Sequence, residues 1–411
     1  MLEVDLTADG LYRDGVPYEV FAALRDERPV FRHRTVATPR SPDGIGFWAV
    51  LGHPEVQAVS RDWRTYTSLE GLALTPTAEE NQGHTILTTD PPTHTRIRKL
   101  ISGGFTPRMI ARLDDQVVRR TTQVLDAAAE RNEINFVREV AYALPMHMIG
   151  DIIGIPEGDR ADVFHWTDLI MRAADPQQGI AASVLQDAQR SLFGYAAELG
   201  AEKRRHPTDD VWSILSTSTI EDDDGHTVSL SPLELDQFFL ILSIAGSETT
   251  RNVISAGLLA LLEHRDQWEL LRRDETRFGA ATEELLRWAT PVTCHLRTAN
   301  VDHELAGQPI ARGDRMAMFF PAANRDPRAF ADPDAFDVRR DPNPHVAVGG
   351  GGAHYCLGAA LARREVDVMF RHLVSRFPAI ERTGPVSYLV AGVEQTVAVS
   401  LDDVPVRMHG S

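Results

Sequence analysis

Cysteine is scarce in this sequence. Its 411 residues include only Cys294 and Cys356, which excludes the disulfide framework that holds many small secreted domains together. A structural zinc site is excluded as well, because neither cysteine has the Cys-x-x-Cys or His-x-x-x-His neighbours that such a site needs. Each thiol must therefore be interpreted on its own.

Positive charge is also in short supply. Lys and Arg number 42 against 59 Asp and Glu, so the formal net charge is −17. Nucleic-acid binding depends on clustered Lys and Arg that neutralise phosphates. We therefore expect no nucleic-acid partner.

No uninterrupted hydrophobic run is long enough to suggest a membrane span. The apolar segment 238–262 contains Ser247, Glu248, Arg251 and Asn252 near its middle, which lipid accepts only at high cost. The first ten residues, MLEVDLTADG, are acidic and lack the basic and apolar parts of a secretory signal. The sequence predicts a cytoplasmic protein with no membrane span.

The remaining composition is that of an ordinary globular protein, with 43% hydrophobic and 25% charged residues. No repeat or long linker divides the chain, so one domain over residues 1–411 is expected. Between residues 90 and 285 apolar residues recur at spacings of three and four, which is typical of helices, and Pro145 is expected to kink or end a turn there. Ser231 and Glu234 predict a capping box at the start of the long apolar helix. HPEVQAVSRD is predicted to form a short helix, whereas GFWAVLG and residues 297–341 favour short strands. These patterns predict a mainly α protein with small β-sheets.

The most informative segment is GGGGAHYCLGAALARRE, which begins at Gly349. Glycines allow the chain to wrap closely around Cys356, and the helix predicted after it directs its positive end at the sulfur, which stabilises a thiolate. A dinucleotide loop is disfavoured, because the Gly-x-Gly-x-x-Gly register places His354 or Tyr355 at the third glycine. A single thiolate suits a haem iron, whose other ligands come largely with the cofactor.

The segment VGGGGAHYCLG resembles the haem-ligand loop of the cytochromes P450, which reads Phe-Gly-x-Gly-x-His-x-Cys-x-Gly. The resemblance implies the cytochrome P450 fold, a single triangular haem domain, with haem b bound and Cys356 as the axial ligand of the iron. It also assigns His354 and Gly358 to the cofactor site. The match departs from the family pattern at Val348, where an aromatic residue is usual, and by one additional glycine.

Further motifs follow in the family's order. DPPTHTRIR contains His94 and Arg98 after Asp90, which is predicted to cap the helix, and CHLRTA contains Arg297. The resemblance implies that these three residues and His354 bind the haem propionates, where charge-assisted hydrogen bonds offset two buried carboxylates.

The segment EELLR supplies Glu284 and Arg287 at i and i+3, on one helix face. Alone, this pattern usually means a solvated helix pair. In the family it is a buried ion pair that a later arginine joins, and Arg340 stands in the matching place, with Arg339 as the alternative.

The segment AGSETT resembles the family's oxygen-activation motif. The resemblance assigns Glu248 and Thr249 as the catalytic acid–alcohol pair, since dioxygen must receive two protons in a site that otherwise excludes solvent. It also implies that the small residues Ala245 and Gly246 allow this helix to pass close to the cofactor. The alternative from the residues alone is a threonine bonded back to its own helix beside a glutamate in an ion pair.

The resemblance implies a monooxygenase that inserts one oxygen atom of O2 into a C–H bond. Because no flavin or nicotinamide motif is present, electrons are expected from a separate ferredoxin and ferredoxin reductase. Arg98, Lys99, Arg363 and Arg364 form a candidate docking face for an acidic ferredoxin, or are cofactor ligands and ordinary solvated charges. A monomer is expected.

The substrate is expected to be a hydrophobic small molecule. GSETTRN and LLRWATPVT are similar to segments of bacterial members that act on sterols and branched fatty acids. The cavity is expected to be lined by parts of residues 68–87 and by residues 239–245, 291–296 and 390–393. Three alternatives remain: a tailoring hydroxylase acting on a natural product or a carrier-protein-bound substrate, a peroxide-using member, and a non-catalytic haem sensor. Cys294 is expected to be a pocket or core residue, and His295 to pack or face solvent.

Overall fold

The computed structural model describes residues 4–33, 36–38, 41–74, 77, 82–102, 107–221, 227–391 and 398–409. Helices account for most of the regular structure in these residues. In chain order they are α1 (Tyr18–Glu27), α2 (His53–Arg61), α3 (Thr93–Ser102), α4 (Pro107–Ala129), α5 (Ala143–Ile153), α6 (Arg160–Arg172), α7 (Ala182–Arg205), α8 (Val211–Thr217), α9 (Pro232–Glu263), α10 (Arg265–Arg273), α11 (Phe278–Ala289), α12 (Phe320–Ala323) and α13 (Ala359–Arg376). The prediction of a mainly α protein is confirmed.

The strands are short and form small sheets. In chain order they are β1 (Val30–Arg32), β2 (Val36–Thr38), β3 (Ser41–Ile45), β4 (Trp48–Val50), β5 (Tyr66–Thr67), β6 (Ile134–Asn135), β7 (Thr219–Glu221), β8 (Thr227–Ser229), β9 (Cys294–Ala299), β10 (His303–Leu305), β11 (Gln308–Ile310), β12 (Arg315–Phe319), β13 (Ala379–Arg382), β14 (Ser387–Ala391), β15 (Ala398–Asp403) and β16 (Pro405–His409). β13, β16 and β6 form a three-stranded sheet, and β2–β3, β7–β8, β10–β11 and β14–β15 are hairpin pairs.

The largest sheet has the strand order β1-β4-β12-β9-β5, in which β12 runs parallel to β4 and the other neighbours are antiparallel. Side chains alternate between the two faces of a strand. In β9, Cys294 and Leu296 lie in a core cluster on one face, whereas Ala299 lies in the cluster on the other face. His295 and Arg297 therefore share the face of Ala299.

The long helix α9 is specified at its first turn. Ser231 accepts a hydrogen bond from the backbone of Glu234, and Glu234 accepts one from the backbone of Ser231, so the predicted capping box is present. Pro232 occupies the first helical position, where no N–H donor is needed. The helix packs against α5, α7, α11 and α13, which places its middle in the helical core.

Local predictions agree with these elements. The segment GFWAVLG contains β4, and HPEVQAVSRD contains α2. Pro145, expected to kink or end a turn, lies in the first turn of α5, directly after a π-helical turn at Val137–Ala141. Within the described residues, no helix is long and apolar enough to cross a membrane.

A buried ion pair ties α11 to the segment that precedes the cysteine loop. Arg287 Nη2 lies 2.7 Å from Glu284 Oε1, and Arg340 Nε lies 3.1 Å from Glu284 Oε2. Asn343 donates to the same carboxylate at 3.1 Å. Arg287 also donates to the carbonyl oxygen of Asn324 at 2.9 Å. The predicted partnership of Glu284, Arg287 and Arg340 is thus present, and Arg339 pairs with an aspartate instead.

We predict that Glu284→Gln lowers the free energy of unfolding by about 3 kcal/mol, because it leaves the fully buried Arg287 without a compensating charge. Urea denaturation at neutral pH measures the effect. Glu269→Gln, which removes an exposed i, i+3 pair with Arg272, is the control and is expected to change stability by less than about 0.5 kcal/mol. Equal effects of the two substitutions would contradict the assignment.

Candidate functional site

Three of the four glycines before Cys356 have a backbone conformation that other residues rarely adopt. Gly349, Gly351 and Gly352 have φ values of +99°, +98° and +82°, in the left-handed region. A side chain at Gly352 would also collide with the C-terminal end of α2, since a Cβ there would lie 2.7 Å from the Ser60 carbonyl oxygen. The glycine run is therefore required both by the turn and by close contact with α2.

Cys356 lies just before α13, where the sequence placed it. Its backbone N–H donates to the Val348 carbonyl at 3.1 Å. Burial raises the pKa of the Cys356 thiol, and the Gly358 backbone N–H, Arg98 and Arg363 oppose that effect. The residue nevertheless has an exposed surface. The Cys356 thiol is thus largely surrounded by protein but keeps accessible surface that a ligand can reach.

Two histidines from distant parts of the chain meet beside this loop. The rings of His94, on α3, and His354 have centroids 4.3 Å apart. Burial, together with the neighbouring His354 and Arg98, lowers the pKa of His94 to about 4. His354 Nε2 lies 3.0 Å from Ser68 Oγ. Both rings are therefore held in place as neutral imidazoles.

The two predicted arginines lie in the same region. Arg98 donates to the Ala353 carbonyl at 3.2 Å, which ties α3 to the cysteine loop. Arg297 is buried, and burial lowers its pKa to about 10. Among the described residues, its one side-chain hydrogen bond is to the carbonyl oxygen of its neighbour Leu296, at 2.7 Å. No carboxylate pairs with Arg297 in the described part of the chain.

Asp90 is the acidic residue of this cluster, and its role differs from the helix cap that the sequence suggested. Its carboxylate accepts from Thr67 Oγ1 and from the Ser68 backbone at 3.1 Å, and lies 3.9 Å from His354 Nε2. Burial alone would raise the pKa of Asp90, but the neighbouring His354 and the hydrogen bond from Thr67 outweigh it and lower the pKa. One carboxylate thus stands among two arginines and two histidines.

The middle of α9 presents an accessible apolar face. Ile241, Ile244 and Ala245 keep accessible surface, and Ile241 and Ile244 belong to none of the core clusters formed by the described residues. Their spacing of three and four residues places them on one side of the helix. Phe239, which was expected to line the cavity, is fully buried against Trp212.

Gly246 serves a different purpose from the one expected. A Cβ at this position would collide with the side chain of Ile149 on α5. The glycine is needed for close packing of α9 on α5, whereas Ala245 faces the open side.

The acid–alcohol pair follows on the same helix. Thr249 Oγ1 donates to the Ala245 carbonyl at 2.8 Å, and Glu248 Oε2 lies 2.5 Å from Arg251 Nη2. The same two contacts are expected if Glu248 and Thr249 have only a structural role in the helix. Glu248 Oε1 is buried and has no hydrogen-bond partner among the residues that the structure describes. Burial raises the pKa of this carboxyl, although Arg251 opposes the shift.

The structure thus brings His94, Arg98, Arg297 and His354 together around the cysteine loop. Ala245, Glu248 and Thr249 form a second group on α9, and among the described residues no recorded contact joins the two groups. Cys294 is buried in the core opposite the cluster. Asp90 and Ser68 were missed as site residues, because only the folded chain brings them to His354.

Comparison with known proteins decides the family. The family model described as Cytochrome P450 matches residues 278–386. A cytochrome P450 of Mycobacterium tuberculosis (strain CDC 1551 / Oshkosh) is 41% identical over 402 residues, covering 94% of this chain and 93% of that protein. The chain belongs to the cytochrome P450 family. It is a cytochrome P450 monooxygenase, and its cofactor is haem b.

Other P450 relatives have more specific names. The steroid C26-monooxygenase of Rhodococcus jostii (strain RHA1) is 37% identical, covering 94% of this chain and 82% of that protein. A methyl-branched lipid omega-hydroxylase of Mycobacterium bovis (strain ATCC BAA-935 / AF2122/97) is 37% identical, with coverages of 90% and 86%. The structure of Mycobacterium marinum cytochrome P450 CYP268A2 in complex with pseudoionone matches with a TM-score of 0.88 and 36% identity, over 98% of each chain.

The observed residues fit a P450 haem. Arg297 is a buried cation without a described acidic partner, and the single carboxylate of Asp90 does not balance the cluster. Two propionates would supply the missing negative charge. Cys356 and Ala245 both keep exposed surface, which a cofactor bound between the cysteine loop and α9 would require.

The helix after the cysteine is fixed by an ion pair to α11. Arg363 Nε lies 2.7 Å from Glu283 Oε1, and His345 Nε2 lies 3.0 Å from Glu283 Oε2. Burial alone would raise the pKa of Glu283, but hydrogen bonds from His345 and Arg363 lower it to about 2. Glu283 thereby connects the two ends of the cysteine loop.

We predict that Glu283→Gln lowers the free energy of unfolding by about 1 kcal/mol at pH 7, a value reduced for the partial exposure of this carboxylate. Its folded pKa of about 2 lies below the ordinary 4.5, so its contribution is complete above pH 4.5 and is lost between pH 4.5 and 2. The difference from the unsubstituted protein should shrink over that interval in urea titrations. A difference that stays constant, or one matched by the control Glu269→Gln, would refute this.

Proposed function

We propose that Cys356 is the axial thiolate of the haem and that His94, Arg98, Arg297 and His354 bind its propionates, within one haem domain formed by the whole chain. The observation that carries this proposal is the excess of cationic and donor side chains at the cysteine loop. Bound in this way, the haem supplies the activation of O2. Gly358 supports the site through its backbone N–H, which lowers the pKa of the Cys356 thiol.

We further propose that Glu248 and Thr249 deliver protons during oxygen activation. Glu248 is buried and has one free oxygen, Oε1, and its raised pKa favours holding a proton closer to neutral pH. The Thr249 hydroxyl follows Ala245 on the accessible side of α9. A rotation of that hydroxyl away from the Ala245 carbonyl would allow it to pass a proton onward.

We predict that Thr249→Ala uncouples electron use from product formation, lowering product per electron by about tenfold or more, because a positioned proton donor is lost. Product and reductant consumption are measured together, with a ferredoxin and reductase supplying electrons. Ser247→Ala removes a buried hydroxyl that bonds back to Ser243 at 2.6 Å in the same helix, and should leave the ratio unchanged. Unchanged coupling in Thr249→Ala would remove the assigned role, and turnover supported better by peroxide would favour a peroxide-using enzyme.

We propose that the substrate is a hydrophobic small molecule, with a sterol or a branched lipid as the first choice. The accessible face of α9 is apolar from Ile241 to Ala245 and ends at Thr249. Such a face favours burial of a hydrocarbon part of the substrate next to the reacting group. The names of the steroid C26-monooxygenase and the methyl-branched lipid omega-hydroxylase support the same class.

We propose that electrons come from a separate ferredoxin. Two of the four predicted docking residues are already paired, since Arg363 binds Glu283 and Arg364 binds Asp114. Lys99 on α3 remains exposed beside the cysteine loop, and Arg98 reaches the loop directly. The α3 side of the loop is therefore the better docking face for an acidic partner. The monomeric state and cytoplasmic location stay predictions of the sequence.

We predict that a sterol or branched fatty acid converts the haem to the high-spin form with a saturable titration in absorbance. Ile244→Phe should weaken this binding by about tenfold, because it fills the apolar face. Leu233→Phe, at an exposed position of the same helix, is the matched control. If macrocycles alone bind, the lipid class is wrong, and if no free compound binds, a carrier-bound substrate or a haem sensor is favoured.

A further inference from the structure

His295 lies on the same strand face as the propionate arginine. It stands two residues before Arg297 in β9, opposite Met318 of β12, and the alternation of the strand directs both side chains away from the core that contains Cys294. Its ring meets Phe320 edge-to-face, with centroids 5.8 Å apart and an interplanar angle of 86°. The orientation of the imidazole is therefore set by an aromatic neighbour.

The ring of His295 borders an enclosed space. Cys294, Leu296 and Arg297 are buried, with 2%, 4% and 5% of their surface exposed, whereas His295 between them keeps intermediate exposure. Burial nevertheless lowers the pKa of His295 to about 3, with smaller contributions from Arg297 and His354. The His295 ring is surrounded by protein but still keeps accessible surface, so we take it to face an internal cavity. Among the described residues, no hydrogen bond to its nitrogens is recorded.

The charges around this cavity favour a neutral donor. Arg98 and Arg297 already contribute the cationic groups, the imidazoles of His94 and His354 are neutral because their pKa values are lowered, and Asp90 is the acid of the cluster. Another cation would be repelled, whereas a neutral imidazole offers one N–H donor without adding charge. A carboxylate held by the arginines would accept that N–H.

We propose that His295 is a fifth propionate-binding residue, which donates a ring N–H to a haem propionate already held by Arg297. The proposal rests on the propionate binding proposed above. His295 is a positioning residue, since it acts on the periphery of the cofactor and not on the reacting atoms. The sequence analysis expected His295 to pack or face solvent, and its ring does pack against Phe320; the additional role is our proposal, because no sequence motif marks this residue.

Three substitutions in the haem-loaded protein test this assignment. His295→Phe keeps a ring against Phe320 but removes the N–H, His295→Asn keeps a donor, and Cys294→Ala changes the neighbour that lies in the opposite core. The readouts are the rate of haem transfer to apomyoglobin and the ferric–ferrous midpoint potential. If His295→Phe does not accumulate as folded protein, His295→Leu replaces it in the same comparison with His295→Asn.

We expect His295→Phe to accelerate haem loss about tenfold, which corresponds to about 1.4 kcal/mol. Its midpoint potential should become more negative, since a propionate that keeps more of its negative charge favours ferric iron. His295→Asn should restore part of both values, and Cys294→Ala should change neither.

An unchanged rate and potential in His295→Phe would overturn the proposal, as would the absence of any rescue by His295→Asn. Loss of substrate binding with unchanged haem transfer would place the ring against the substrate instead, which also overturns it. Failure of the unsubstituted protein to bind haem would instead refute the function proposed above, so the two outcomes are distinguishable.

Discussion

Buried positive charge at the cysteine loop is the constraint on which the rest of the site depends. Arg297 is removed from water without a described acidic partner, and removing an unpaired charge from water is costly. In the site proposed above, the two carboxylates of the haem would compensate this charge. Haem binding would therefore stabilise the folded state of this region, because it offsets the cost of burying the charge of Arg297.

The parts of the site that follow from local sequence were predictable. A capping box, a tetraglycine before a cysteine and an i, i+3 Glu–Arg pair each depend on residues close together in the chain, and each was found as expected. The pairing of Arg340 with Glu284 was also anticipated, although only through resemblance to the family.

The parts that were missed depend on register and packing between distant segments. Asp90 was interpreted as a helix cap because it precedes α3, yet its carboxylate binds Thr67 and Ser68, which only the tertiary fold brings near. Gly246 was assigned to the cofactor side, but close packing on Ile149 explains it. The face of β9 that carries His295 follows from pairing with β12, and one residue of slippage would reverse it.

The contact between the glycine run and α2 has a consequence for how the cofactor loop acquires its shape. Ser60 Oγ donates to the Gly351 carbonyl at 3.0 Å, and Arg61 Nε donates to the Gly350 carbonyl at 2.9 Å. The conformation of the cysteine loop therefore depends on contacts with α2, which lies about 290 residues earlier in the chain. A fragment that begins after α2 would contain the cysteine, its glycines and the following helix, and would still lack the template that gives the loop its form.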